Sequence, residues 1–392
     1  MGRLEAPVPT PIHSFRFENY RGFPNETSVA VRPLTLLFGY NNSGKSSIAR
    51  FLPMLAESIE AARTPLLLDG EVLGRAQFQN VVCRQTQSRK LLMGIRLEDS
   101  TDVAVTMRGE RVEHEVEHVR VSGAADAEWR VGEATKWRGW VPTSGAVGAA
   151  MVPIEDAVRD VQWIRGLRSA PARWIDRPGG LPFRVRSDGS DAASWIAAEG
   201  GRTGVYAADS LGGEVDRFFE AVGLRMSIED RNDQFTVNLT GRGAEAMVIP
   251  LVDSGEGYVQ VLPVLVAAAR ASRGVGPSLV AIEQPELHLH THAQRSLGEW
   301  LARLARGGPA RMLVETHSEV LLTAVQLAVA RRELDPGRVA IYWTRRDEAG
   351  RCSVDPITML EDGRLSGRWP TDVFSDVHAL TRALFEARRV QR

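Results

Sequence analysis

Gly39 to Ser46 read GYNNSGKS, a full match to the spacing G-x-x-x-x-G-K-[ST]. That spacing serves phosphate chemistry. Backbone N–H groups of a loop carrying Gly39, Asn41, Asn42, Ser43 and Gly44, together with the start of a following helix, can cradle the α- and β-phosphates of a nucleotide. Gly44 permits the close approach, Lys45 brings a point charge to the β- and γ-phosphates, and the Ser46 hydroxyl is a ligand for Mg²⁺. Ser47 extends the helix start. Such a loop needs an acid at the end of a second buried strand to complete the magnesium shell. The segment SLVAIEQPE supplies Glu283 there, where aspartate is usual. A glutamine, Gln284, comes next; it cannot be a general base but can orient water.

The elements that must hold these residues are legible on both sides of the loop. FRFENY and TSVAVR alternate polar and apolar residues as half-buried strands, and PLTLLFG is a short apolar run of the kind found in a buried strand. IARFLPMLAESIEAAR then carries apolar residues at helical spacing, so the order is strand, loop, helix. LLMGIRLE, DVAVTMRG and VEHVRVSG predict a β-rich subdomain before residue 131. VDRFFEAVG predicts a helix and FTVNLTG the end of a strand pair. YVQVLPVLVAAARAS, SLVAIEQPE and RMLVETHSE return to an α/β pattern, the last two as buried strands ending in polar clusters. The C-terminal ALTRALFEARRVQR predicts a basic amphipathic helix.

Residues 131 to about 200 are rich in Trp, Gly, Pro and Arg, with Trp137, Trp140, Trp163, Trp174 and Trp195 among them. Aromatics interleaved with arginines suit a surface that stacks single-stranded nucleic acid, but core anchors with solvated arginines are the commoner outcome. His288, His290 and His292 alternate in LHLHTH, and imidazoles are favoured zinc ligands. No cysteine or fourth ligand stands near them, so no metal is assigned there.

Composition narrows the class. A hydrophobic fraction of 43% and a charged fraction of 25% over 392 residues describe a globular chain. A net charge of -1 gives no global pull toward nucleic acid or membrane, so any DNA contact must be a local patch. The longest nearly apolar run, Val259 to Ala269, is far shorter than the roughly 20 residues of a spanning helix, and no membrane segment is expected. Two cysteines, Cys83 and Cys352, make no disulfide framework or finger. The N-terminus has no apolar signal core and no acylation pattern, and the expected compartment is the cytoplasm.

GYNNSGKS, VDSGEGYVQVLPVL, LVAIEQPELHLH and MLVETHSE, in that order, resemble the ABC-type ATPases of the RecF, SMC and OLD group, and more narrowly its stand-alone bacterial AAA-family members. The resemblance covers about the first 60 residues and residues 250 to 345. It implies an α/β fold, an ABC-type P-loop NTPase head with an antiparallel β subdomain and an inserted α/β lobe. Residues 1–65 and 251–345 would form the ATPase core, 66–250 the β-rich subdomain and inserted lobe, and 346–392 a C-terminal β and helical tail. ATP and Mg²⁺ are the implied cofactors. The implied assembly is a homodimer, extending in some cases to a higher oligomer, in which one protomer's phosphate loop faces the partner's signature loop across an ATP sandwich.

On that resemblance Ser254, Gly255 and Gly257 of DSGEG correspond to the signature loop, in a form degenerate relative to LSGGQ. His317 in ETHS corresponds to the switch histidine that senses the γ-phosphate. Gln79 in FQN is a candidate for the loop glutamine that touches Mg²⁺ and water, in competition with glutamines nearby. Gln284 departs from the ABC pattern, in which a glutamate polarises the attacking water; Glu286 and Glu315 are the carboxylates that remain to supply it. The catalytic set expected is Lys45, Glu283, Gln284 and His317, with Ser46, Glu283 and Gln79 toward the metal.

The role implied is a dimeric switch or motor subunit of bacterial anti-phage defence with a separately encoded effector. From the residues that follow His317, an intrinsic TOPRIM nuclease like that of OLD proteins is not expected. A RecF-like DNA-maintenance ATPase and a non-hydrolysing scaffold are the alternatives, and a transporter ATPase fits least. With Gln284 in place of a base, the isolated protein is expected to turn over Mg-ATP slowly, and Lys45→Ala to abolish that turnover. Phosphate release assays with the variant as blank check this; fast wild-type turnover would contradict the role given to Gln284.

Overall fold

The computed structural model describes residues 10–199, 206–243 and 246–370. Strand β1 (Ile12–Glu18) pairs antiparallel with β2 (Thr27–Ala30), Phe17 standing opposite Thr27. Strand β3 (Leu34–Gly39) is buried at every position, as a strand covered on both faces must be. Leu34, Leu36 and Phe38 enter one core and Leu37 the other, the two-residue period of a strand. Next come α1 (Lys45–Ala49) and α2 (Phe51–Ala61), one helix by periodicity but interrupted at Arg50. Pro53 has no N–H for the Ala49 carbonyl, which weakens the ladder at that turn.

A short helix α3 (Phe78–Val81) precedes β4 (Lys90–Leu97), β5 (Asp102–Glu110), β6 (Glu113–Ser122) and β7 (Ala127–Arg130). Among the described residues these strands and the first two form one antiparallel sheet, β2-β1-β4-β5-β6-β7. The β-rich stretch expected before residue 131 is therefore completed by strands from the N-terminus. A two-residue pair, β8 (Trp137–Arg138) and β9 (Val141–Pro142), leads into α4 (Gly145–Arg159) and β10 (Val161–Ile164).

The lobe that follows holds β11 (Ile175–Asp176), α5 (Ala192–Glu199), α6 (Leu211–Ala221), β12 (Leu224–Arg231), β13 (Gln234–Gly241) and β14 (Val248–Pro250). Its strands pair antiparallel around β13. The chain then runs through α7 (Glu256–Ser272), β15 (Leu279–Glu283), α8 (Thr291–Ala305), β16 (Arg311–Glu315), α9 (Glu319–Ala330), β17 (Val339–Arg346), β18 (Cys352–Met359) and β19 (Leu365–Gly367). The helix expected from ALTRALFEARRVQR lies outside the described residues.

The central sheet has the order β10-β15-β16-β3-β17-β18-β19. Its first five strands are parallel and its last two antiparallel. Strand β10 lies within the 66–250 stretch yet pairs with β15, Trp163 beside Ala281. One face of this sheet packs against α5 to α9, the other against α1, α2, α4 and the antiparallel sheet. Two tryptophans of the Trp-rich middle are anchors in this packing. Trp140 is fully buried and donates its indole N–H to the Leu55 carbonyl at 3.1 Å, and Trp163 is buried in β10.

Phe51 sits at the centre of the packing behind the phosphate loop, with Phe15, Phe17 and Tyr20 at ring-centroid distances of 5.4, 5.0 and 5.3 Å. It is fully buried. Phe51→Ala should therefore cost about 3–5 kcal/mol of stability. Urea unfolding of the two proteins measures it, and a loss below about 1 kcal/mol would show that this cluster closes around the gap.

Candidate nucleotide site

The parallel strands bring three C-terminal ends to one edge. Strand β3 ends at Gly39 and runs into the GYNNSGKS loop, whose backbone takes positive φ at Gly39 (148°), Asn42 (65°) and Gly44 (101°). At Gly44 glycine is required twice. Its φ is unfavourable for other residues, and a Cβ there would lie 2.6 Å from the Phe23 ring. Asn41 and Asn42 are exposed, whereas Ser43 is buried and donates its hydroxyl to the Tyr40 carbonyl at 2.7 Å. Ser47 continues α1, its carbonyl accepting from the Tyr20 hydroxyl at 3.2 Å.

Lys45 is buried, and its ammonium donates to the carbonyls of Gly39 and Tyr40, each at 2.8 Å. Burial pushes its pKa down, while the nearby charges of Glu315 and Glu286 oppose that shift. The Ser46 hydroxyl donates to Glu315 Oε1 at 2.9 Å. Sequence reasoning paired Ser46 with Glu283; the structure puts Glu315 against it. Strand β16 lies between β15 and β3, with Glu315 paired to Glu283 on one side and to Leu37 on the other. Glu283 is thus one strand further from the loop.

Glu283 is held elsewhere. Arg50 makes a two-pronged ion pair with it, Nε to Oε1 at 2.5 Å and Nη2 to Oε2 at 2.7 Å. The Trp163 indole N–H adds a bond to Oε1 at 3.0 Å, and the Arg50 guanidinium lies 5.2 Å from that ring. Gln284 has φ 43° and donates its backbone N–H to the Glu315 carbonyl at 2.8 Å, tying the two strand ends together.

Glu286 Oε1 accepts from the His317 backbone N–H at 2.7 Å, and its Oε2 is buried with no hydrogen-bond partner among the described residues. Burial pushes the Glu286 carboxyl above its ordinary range. Glu315 shows the same pattern: its Oε2 is also buried and has no partner among the described residues, and burial with the Glu283 charge pushes its pKa up to about 7. Desolvation and the Lys45 charge hold the His317 imidazole below its ordinary pKa, which favours its neutral form.

A buried arginine connects this edge to the DSGEG segment. Arg168 Nη2 donates to the Glu283 carbonyl and Nη1 to the Gln260 carbonyl at 2.9 Å. The Gln260 side chain completes the link, accepting from Arg168 N and donating to Arg168 O, both at 2.9 Å. Burial pushes the Arg168 pKa down to about 10. Gln260 lies on α7, one turn beyond Glu256. Ser254 donates its hydroxyl to the Leu251 carbonyl at 2.6 Å, Gly255 caps α7, and a Cβ on Gly257 would meet the His288 carbonyl at 2.6 Å.

Lys45, Ser46, Glu315, Glu286, Gln284 and His317 are therefore gathered at one sheet edge, and Ser254, Gly255 and Gly257 join them through Arg168 and the His288 turn. Gln79 stands apart: it is exposed on α3 and gives its amide to Gln77 Oε1 at 2.7 Å. His290 caps α8, with its Nδ1 3.5 Å from the His292 backbone N–H. Among the described residues no three His, Cys, Asp or Glu side chains converge as a metal-holding group, and no helix is long and apolar enough to cross a membrane.

Sequence reasoning missed Arg50, Trp163 and Arg168. For Arg50 a signal existed, since it follows Ser46 by four residues on one helix face. The partners of Trp163 and Arg168 come from distant segments, and no local pattern announces them.

Comparison with solved structures decides the architecture. An SmcHead bound to the C-winged helix domain of ScpA aligns with a TM-score of 0.55 at 9% identity, over 89% of this chain and 98% of that one. A Pyrococcus furiosus Smc head domain with an extended coiled coil, bound to the C-terminal domain of ScpA, aligns with a TM-score of 0.50 at 9% identity, over 96% and 99%. The fold is that of an ABC-type P-loop ATPase head. Residues 155–323 of the head match the family described as "AAA domain, putative AbiEii toxin, Type IV TA system". A search of curated proteins finds no match.

Glu315 makes the stability of the head depend on pH in a defined direction. Its pKa is raised in the folded protein, from an ordinary 4.5 to about 7. Between those values the folded state binds the proton and the unfolded state does not, so stability falls as pH rises through that window. Glu315→Gln should remove this term. Relative to wild type the variant should gain on the order of 2–3 kcal/mol between pH 4.5 and pH 8 in metal-free buffer. Denaturation at both pH values checks it; an unchanged difference would contradict the burial argument.

Proposed function

We propose that this chain binds ATP with Mg²⁺ and hydrolyses it slowly, as a homodimeric ABC-type ATPase whose nucleotide state switches a separate effector in bacterial anti-phage defence. One observation carries the reading: a phosphate loop with Lys45 and Ser46 stands beside two carboxylates, buried Glu315 and half-buried Glu286, each with a buried oxygen that has no partner among the described residues. The donor set suits a nucleotide triphosphate with a hard cation, since loop amides and Lys45 meet phosphate while hydroxyl and carboxylate oxygens meet magnesium. Bound there, Mg²⁺ would neutralise charge on the β- and γ-phosphates.

The protein's own groups then have distinct tasks. Lys45 would exchange its two carbonyl partners for phosphate oxygens. Gln284, fixed by its backbone bond to β16, would orient water without accepting its proton. Neutral His317 would offer a hydrogen bond to the γ-phosphate rather than a charge. Absence of a strong base at residue 284 supports slow turnover and a bound state that lasts long enough to act as a clamp.

The start of α7 supports the dimeric part of the reading. Ser254 and the exposed Gly255 precede the N-terminus of α7, a long helix whose body is buried, and an exposed helix start suits a partner's γ-phosphate. The family description for residues 155–323 names a toxin of a type IV toxin–antitoxin system, which supports a defence setting over a transport one. Sedimentation velocity with and without Mg-ATP tests the assembly. A monomer that becomes a dimer only with ATP, and that stays monomeric in Ser254→Arg, is expected. A monomer unmoved by ATP would overturn the dimeric switch, and salt-sensitive DNA binding that requires ATP would move the role to DNA maintenance.

A further inference from the structure

We propose that Glu315, and not Glu283, is the carboxylate that joins Ser46 on the protein's side of the magnesium site. The inference rests on the reading of GYNNSGKS as an ATP site and refines which acid serves it. Two glutamates compete, paired across neighbouring strands at the same edge. Their surroundings differ in every respect that matters to a cation.

Both oxygens of Glu283 are committed. Arg50 grips them in a fork, and Trp163 adds a third donor. A carboxylate neutralised by a bidentate guanidinium has little charge left to offer, and withdrawing it would leave Arg50 without its partner. Its side chain is only 6% exposed, so solvent offers no replacement.

Glu315 is the reverse case. Among the described residues it forms no ion pair; its closest lysine, Lys45, gives its hydrogens to the Gly39 and Tyr40 carbonyls instead. One oxygen already touches the hydroxyl that Mg²⁺ requires, at 2.9 Å. The other is buried and has no donor among the described residues, a condition that folded proteins seldom leave uncorrected. Mg²⁺ holds most of its ligands as water and takes one or two carboxylates through oxygen, so a magnesium-bound water is the donor that this oxygen lacks.

The test measures binding rather than turnover. Affinity for a fluorescent ATP analogue is compared in MgCl₂ and in EDTA for wild type, Lys45→Ala, Glu315→Gln and Glu283→Gln. Wild type should bind more tightly with magnesium. Glu315→Gln, whose amide can still accept from Ser46, should keep the metal-free affinity and lose at least about tenfold of the magnesium gain. Glu283→Gln should keep that gain. If that variant does not fold, the neutral pair Arg50→Gln with Glu283→Gln takes its place.

A full magnesium gain in Glu315→Gln would overturn the assignment. So would its loss in a Glu283 variant whose circular dichroism and melting match wild type. Wild type that ignores the analogue, or binds it regardless of Lys45, would remove the ATP site itself, an outcome distinct from either.

Discussion

Parallel pairing of β16 between β3 and β15 is the constraint on which the site depends. Parallel strands present their C-terminal ends at one edge, and in open α/β sheets that edge is where ligands are received. Here it places the end of the phosphate-loop strand, Glu315 and Glu283 side by side. The strands are buried on both faces, so a register slip would turn apolar side chains into the wrong core. Helices on one face and the antiparallel sheet on the other hold that register. The fold therefore supplies the geometry of the site before any polar contact is made.

The polar contacts then divide the charges into a spent set and an available one. Arg50 and Glu283 neutralise each other beneath Trp163. Arg168 uses its guanidinium to hold carbonyl oxygens of β15 and α7, a structural task for a cation buried at heavy desolvation cost. Glu315 and Glu286 each keep a buried oxygen without a partner among the described residues, in the neighbourhood of the Lys45 charge. Such groups are expensive to keep in a low-dielectric setting, and functional sites are where that expense recurs. Because Arg168 also binds Gln260, a shift at the end of β15 has a direct path to the DSGEG segment.

Much of this was legible in the chain. GYNNSGKS is a local motif whose chemistry depends on adjacent residues, so its spacing, the preceding apolar strand and the following helix could be read together. The buried strands LVAIE and RMLVE were visible for the same reason. Pairings between distant segments were not. Nothing local in FRFENY says that it joins β4 rather than remaining with β3, and β10 is a four-residue run whose place beside β15 only the sheet reveals. The choice between Glu283 and Glu315 was hidden because it turns on Arg50 and Trp163, which come from two other elements. Gln79 was a candidate only through the resemblance, in competition with nearby glutamines, and its amide is turned to Gln77.

Direct titration of ATP into the purified protein by calorimetry, beside Lys45→Ala, tests whether the GYNNSGKS loop is a nucleotide site. Saturable binding with one ATP per chain that the variant loses is expected, because the Lys45 ammonium is a buried cation at the loop. Heat indistinguishable between the two proteins, or none from wild type, would contradict it and leave the loop as a glycine turn before a helix.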